Sequence, residues 1–270
     1  MNVSRRKRAG RRWVLTVGID EESPLELRDQ LIERAVGAAD GSASELIRRS
    51  RHASTYKIYA QAGGERLEAF AKVIDPPSGF ERITRLFRGD YGARLAHITR
   101  EFVGAGLEAP AVLLYGRDRA TGRELIVTHR AEGQGPLRTL VLVRGSLRHK
   151  REILRGLGRA IARLHRAGFV HGDLTPFNIL FTRSESPRFT FIDNERTRRN
   201  VMFGLKRQQL RNLIQLGRFD LPGLTRADRV RVYRAYEVAM TGHNRRRSVR
   251  RAAAMLNRRL ARDRLAAQSR

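Results

Sequence analysis

Apolar residues in this chain recur with two different periods, and the period changes part-way along. Trp13–Ile19 is a short apolar run that predicts a strand. A helix is expected from Ser23, with Ser23 as N-cap, Pro24 in the first helical position, Glu26 three after the cap and a Gly-Ser stop over Gly37–Ser42. Residues Arg48–Ile74 predict a hairpin: Thr55, Tyr56, Ile58 and Tyr59 are β-formers, Gly63-Gly64 supplies the turn, and L-E-A-F-A-K-V-I returns over Leu67–Ile74. Between Gly79 and Gly104 the pattern turns helical, first at Ile83, Leu86 and Phe87, then with Leu95, Ile98, Phe102 and Val103 on one face. Pro110–Gly116 and Glu124–Thr128 read as strands joined across Arg117–Gly122, and the second runs into H-R-A-E-G-Q-G-P-L, a candidate hinge.

Beyond that hinge the helical period dominates. Leu147–Ala167 places Ile153, Leu157, Ile161 and Leu164 on one stripe and stops at Gly168. Further helices are expected over Leu205–Leu216, over Arg226–Met240 with a Thr225 cap and Asp228 three residues later, and over Arg245–Ala267. The pattern therefore predicts an α+β protein of two lobes, the first rich in strands and the second mainly helical. The expected boundaries are a basic arm and extension over 1–47, an N-terminal lobe over 48–130, a C-terminal lobe over 131–243 and a basic helix over 244–270.

The chemistry concentrates within the second part, just after its first long helix. His171–Thr182 reads H-G-D-L-T-P-F-N-I-L-F-T, and a polar turn then leads into F-T-F-I-D, ending at Asp193. Asp173 stands five residues before Asn178, and Asp193 closes the next apolar run. A short loop and two strands can aim such groups at one place, which is the layout of a kinase catalytic loop followed by a metal-binding strand. Phosphoryl transfer needs a carboxylate to orient a hydroxyl and take its proton, for which Asp173 is placed. It also needs oxygen ligands for Mg2+ on the ATP phosphates, for which Asn178 and Asp193 are placed. His171 is expected to brace the loop, and His165 to pack at its helix end. No third ligand lies in register to make the two histidines a metal site.

In the N-terminal part, Lys72 within A-K-V-I is the expected strand lysine that grips ATP phosphates. A glycine-rich phosphate cover is missing, because the hairpin reads R-R-S-R-H-A-S-T-Y at that place. Ser50, Arg51 or Ser54 and nearby backbone N–H groups are the candidates to meet the phosphates instead. The backbone around Thr128 to Ala131, including Arg130, is expected at the adenine. Glu101 is either the acidic partner of Lys72 or an exposed residue.

Charge adds a second requirement. The 270 residues hold 55 Lys plus Arg against 27 Asp plus Glu, a formal net charge of +28, so an anionic neighbour is expected. Six basic residues lie among the eight from Arg5 to Arg12, read as a mobile arm, and ten arginines between Arg245 and Arg270 face a single acid, Asp263. Acidic lipid or nucleic acid are the partners such ends attract, and lipid is the favoured one. There is no cysteine, hence no disulfide framework, in keeping with a cytoplasmic setting. No run is long enough to span a bilayer, so contact with the inner face of the cytoplasmic membrane would be peripheral.

L-H-x-A-G-F-V-H-G-D-L-T-P-F-N-I-L-F with F-I-D-N-E-R-T resembles the lipopolysaccharide core kinase family, sugar kinases with a protein-kinase-like fold. S-R-H-A-S-T-Y-K-I, A-F-A-K-V-I and V-G-A-G-L-E-A-P fit it as well, so the resemblance extends over roughly Arg48–Tyr236. It implies Asp173 as catalytic base, Asn178 and Asp193 as Mg2+ ligands, Lys72 on ATP, and Glu195 assisting the metal or the acceptor. I-D-N-E-R-T stands in place of D-F-G and no A-P-E segment follows, which favours a small or carbohydrate acceptor over a protein. The expected activity is ATP-dependent phosphorylation of a sugar hydroxyl in a lipopolysaccharide-core-type glycolipid. The alternatives are an atypical protein or small-molecule kinase of the same fold, and a catalytically silent basic scaffold or nucleic-acid-binding protein.

Overall fold

The computed structural model describes residues 5–9, 12–18, 24–42, 45–76, 90–131, 134–136, 147–182, 186–199, 204–218 and 223–242, together with positions 254, 258 and 261. The chain divides into two compact units. Met1–Glu101 with Pro110–Arg130 form the first, and Phe102–Ala109 with Ala131–Arg270 form the second.

The first unit is built on a seven-stranded antiparallel sheet. Its strands are β1 (Arg5–Ala9), β2 (Trp13–Val17), β3 (Glu45–Arg49), β4 (Ala53–Ala62), β5 (Glu65–Ile74), β6 (Val112–Asp118) and β7 (Glu124–His129), in the order β1-β2-β6-β7-β5-β4-β3. Helix α1 (Leu25–Asp40) covers one face. The pleat alternates side chains between faces. Ala69, Ala71 and Val73 of β5, Ile58 and Ala60 of β4 and Leu125 and Val127 of β7 therefore join Leu27, Leu31 and Ala35 in one buried core. The intervening residues, Lys72 among them, point to the other face.

Several expectations change here. Arg5–Ala9 is not a mobile arm but strand β1, paired with β2 from Arg5↔Val17 to Ala9↔Trp13, because the edge of β2 offers a full set of backbone partners. The predicted hairpin gains a third strand, since Glu45–Arg49 pairs back onto β4 around the Ser50–Ala53 turn. Helix α1 starts at Leu25 with Pro24 as N-cap and no side-chain cap bond. Ser23 lies outside the described residues, and the left-handed Gly41 ends the helix.

The second unit holds β8 (Gln134–Pro136), α3 (Leu147–Arg166), β9 (Phe169–Val170), β10 (Ile179–Thr182), β11 (Phe189–Phe191), β12 (Arg198–Arg199), α4 (Leu205–Gly217) and α5 (Arg226–Thr241). Helix α2 (Tyr91–Gly104) starts in the first unit and contributes Phe102 to the second. Of its predicted apolar face, Leu95, Ile98 and Phe102 are buried while Val103 is exposed. Phe102 meets Phe169 edge to face at 4.6 Å and Phe191 at 6.4 Å. The whole predicted stripe of α3, Ile153, Leu157, Ile161 and Leu164, is buried. The stretch expected as a loose hinge contains a strand, because Gln134–Pro136 pairs with the free edge of β10. The helix predicted around Ile83–Phe87 lies outside the described residues, as does the one over Arg245–Ala267 apart from positions 254, 258 and 261.

Candidate active site

The catalytic loop is anchored at both ends by short pairings. Strand β9 enters it and pairs with β12; β10 leaves it and pairs with β11, which ends just before Asp193. Ile192 N–H donates to the Asn178 carbonyl at 3.0 Å, so the residue before Asp193 is fixed to Asn178. Asp193 itself takes a left-handed conformation, φ 59° and ψ 44°, and is the one non-glycine residue with positive φ among the described residues. Aspartate tolerates this region at a modest cost. The turn carries the chain into a 3-10 turn over Asn194–Arg196 and leaves the Asp193 side chain exposed.

His171 braces the loop as expected. Asp173 N–H donates to its Nδ1 at 3.0 Å, and its Nε2 lies 3.0 Å from the Ile192 carbonyl. Nδ1 is therefore the acceptor and Nε2 carries the proton, a neutral tautomer that ties the loop to the backbone just before Asp193. Burial holds its pKa below the ordinary 6.5, with the Ile192 carbonyl and nearby acids opposing. Gly172 is required by space, because a Cβ there would run into Arg196. Glu195 is half-buried in the 3-10 turn that also carries Arg196.

Helix α4 supplies what the sequence reading did not find. Its amides Gln209, Asn212 and Gln215 recur every three residues, the first reaching the end of α3 and the other two the loop. Asn212 Nδ2 donates to the His171 carbonyl at 2.6 Å, and its Oδ1 accepts from His171 N–H at 3.0 Å and faces His165 Nε2 at 3.2 Å. Gln209 donates to the His165 carbonyl at 3.2 Å. Gln215 accepts from Leu174 N–H at 3.2 Å and donates to Asp173 Oδ1. The signal in the sequence was Q-x-x-N-x-x-Q, three neutral amides on one face of an otherwise basic helix. His165 packs as expected, with Nδ1 accepting from Tyr236 Oη at 2.9 Å. Burial drives its pKa down to about 4.

Asp173 is thus held on both oxygens. Asn178 Nδ2 donates to Asp173 Oδ2 at 3.1 Å and to its carbonyl at 2.9 Å, while Gln215 holds Oδ1. Both amide hydrogens of Asn178 are committed to Asp173, which leaves Asn178 Oδ1 as the atom for a cation. Asn178 Oδ1 and the Asp193 carboxylate are hard oxygen donors of the kind that a divalent ion of the Mg2+ type takes. No cluster of three or more His, Cys, Asp or Glu residues able to hold a metal occurs among the described residues.

In the first unit, Lys72 is half-buried in β5, with Thr55 of β4 and Ile126 of β7 as its cross-strand neighbours. Tyr115 extends the same row through Ile126, and Gly92 of α2 packs so closely on Tyr115 that a Cβ would stand 2.5 Å from its Cβ. Ser54 pairs in register with Val73, next to Lys72. Thr128 lies opposite Phe70. The Arg130 guanidinium pairs with Glu68, which also binds Lys57 at 2.8 Å, and the Arg130 N–H donates to the Glu68 carbonyl. Glu101 Oε1 lies 4.0 Å from His97 Nε2, an i,i+4 contact along α2.

Residues 93–236 match the model of the lipopolysaccharide kinase (Kdo/WaaP) family, more than half of the chain. This chain belongs to that family. It is a kinase, a phosphotransferase with an alcohol group as acceptor. Among its relatives, a 3-deoxy-D-manno-octulosonic acid kinase of Stenotrophomonas maltophilia (strain R551-3) is 30% identical over 205 residues, 67% of this chain and 80% of that protein. A probable serine/threonine-protein kinase BUD32 homolog of Archaeoglobus fulgidus is 44% identical, but over only 43 residues, 16% of this chain and 20% of that protein. A solved structure of WaaP in complex with acyl carrier protein aligns with a TM-score of 0.59 at 21% identity, covering 90% of this chain and 98% of that one. Family membership and this neighbour give the bilobal protein-kinase-like fold that the sequence pattern predicts.

Proposed function

We propose that this kinase transfers the terminal phosphoryl group of ATP to a hydroxyl of a 3-deoxy-D-manno-octulosonic acid residue in a lipopolysaccharide-core-type glycolipid, at the inner face of the cytoplasmic membrane. The observation that carries the reading is the two-sided hold on Asp173, by Asn178 and by Gln215, which fixes a carboxylate where a hydroxyl is to be aimed. The choice of sugar is supported by the octulosonic acid kinase relative, of which the chain covers 80%.

Asp173 accepts the proton of the acceptor hydroxyl as that oxygen bonds to the γ-phosphorus. The bond from phosphorus to the bridging oxygen breaks, and ADP departs. Asn178 Oδ1 and the Asp193 carboxylate would hold Mg2+, which when bound neutralises charge on the phosphates. Lys72 is assigned to the nucleotide phosphates, with Ser54 beside it and the Thr128 backbone at the adenine. His171 acts as a positioning residue, and Glu195 is assigned to the metal or the acceptor.

The test is incubation of the purified chain with ATP, Mg2+ and three acceptors in parallel: a glycolipid bearing octulosonic acid, its deacylated form, and a generic protein substrate. Mass spectrometry of each product is expected to show one added phosphate on the two saccharides alone. Phosphate on the protein alone would overturn the acceptor class.

A further inference from the structure

Helix α3 has two unlike faces. Its apolar stripe is buried, while Arg148, Arg151, Arg155, Arg159, Arg163 and Arg166 are all exposed. At 100° per residue these six fall within one arc, along about 27 Å of helix axis. Glu152 is the one acid of the helix, and it pairs with Arg148 at 3.2 Å. Like charges four residues apart repel on a helix, so Arg151, Arg155, Arg159 and Arg163 form a self-repelling row that an anionic surface relieves.

Beside this row a groove of about 740 Å³ opens between α3 and α5, rimmed by Arg155, Arg159, Arg231 and Arg234 over Val230 and Val238. The helices touch beneath it, since a Cβ on Gly158 would strike the Val232 carbonyl. Arg231 is engaged by Asp228 at 2.6 Å. Arg155, Arg159 and Arg234 have no acidic partner among the described residues. Val238 is 46% exposed at the same place.

We propose that the α3 arginine row and the α3–α5 groove form the surface with which this kinase rests on an anionic phospholipid bilayer, lipid phosphates lying between the arginines and the valines reaching the interface. A straight basic row matches a plane of phosphates, and an apolar floor beside it suits the headgroup boundary. Single-stranded nucleic acid would be met by stacking aromatics, and none lines the groove, while a duplex is held through its phosphates and has no use for the apolar floor of Val230 and Val238. The inference deepens the proposed function, because a lipid-anchored acceptor is reached from such a surface. Its test is independent of that reading, since vesicle binding needs neither nucleotide nor acceptor.

The experiment is flotation of the full chain with phosphatidylcholine vesicles with and without phosphatidylglycerol. It compares wild type with a triple Gln variant (Arg155→Gln, Arg159→Gln, Arg234→Gln), the matching triple Lys variant, and a C-terminal control (Arg245→Gln, Arg246→Gln, Arg247→Gln). Each arginine at an anionic surface contributes about fivefold, so the triple Gln variant is expected to bind phosphatidylglycerol vesicles roughly 100-fold more weakly. The charge-preserving Lys variant and the C-terminal control are expected to stay within a few-fold of wild type, and wild type to ignore pure phosphatidylcholine. Unchanged binding by the triple Gln variant overturns the proposal. Loss confined to the C-terminal control, or loss of duplex DNA binding without loss of vesicle binding, overturns it as well.

Discussion

Gln215 on helix α4 donates to Asp173 Oδ1 while its own carbonyl accepts from Leu174 N–H. One amide thus fixes both the side chain of the proposed base and the backbone after it. We predict that Gln215→Ala lowers kcat by roughly 10- to 100-fold with the KM for ATP little changed, because a misaimed base costs the chemical step and leaves nucleotide binding alone. Steady-state kinetics checks this. Gln215→Glu is expected to be at least as damaging and to change the pH profile, since it sets a second carboxylate against Asp173.

The buried histidines set an acid limit on stability. His165 titrates at about 4 in the folded chain against an ordinary 6.5, because burial disfavours the cation. Between those values the unfolded chain binds a proton that the folded chain does not, so stability is complete above about pH 6.5 and falls as pH drops toward 4. The loss from His165 alone amounts to roughly 3 kcal/mol across that window, and His171, shifted the same way, adds to it. Thermal melts at about pH 7.5 and about pH 5 should show a clear drop in Tm for wild type and a smaller one for His165→Gln.

Asp228 is a structural hub of the second unit. It completes a capping box with Thr225, binds Lys150 at 2.8 Å and Arg231 at 2.6 Å, and is buried. Asp228→Ala removes one half of the capping box and takes the carboxylate away from both Lys150 and Arg231, so we expect a loss of about 2 to 4 kcal/mol in chemical denaturation. Thr225→Ala, which removes half of the box, should cost about 1 kcal/mol.

Much of this was legible in the residues because local rules sufficed. The stripe Ile153, Leu157, Ile161 and Leu164 is one-dimensional information, and so is the Thr225–Asp228 cap. H-G-D-x4-N is likewise local, since loop, strand and turn follow one another directly. What escaped depends on partners distant in sequence. Strand β1 exists because β2 offers an open edge to residues that otherwise read as a charged arm. Strands β9 and β12 have two residues each and carry no periodicity at all. The amides of α4 acquire meaning only when a loop some forty residues away in sequence folds against them. The Arg130–Glu68 pair likewise joins side chains far apart in sequence, and no local pattern announces it.

We propose that Asp173 takes the proton of an acceptor hydroxyl during phosphoryl transfer. The most direct measurement is single-turnover transfer from radiolabelled ATP to deacylated octulosonic acid glycolipid, comparing wild type with Asp173→Asn at saturating nucleotide. Asparagine keeps the shape and the contact with Asn178 but cannot accept the proton. ATP affinity is expected to stay unchanged and the rate to fall by roughly 100-fold or more. Transfer by Asp173→Asn at the wild-type rate would contradict it.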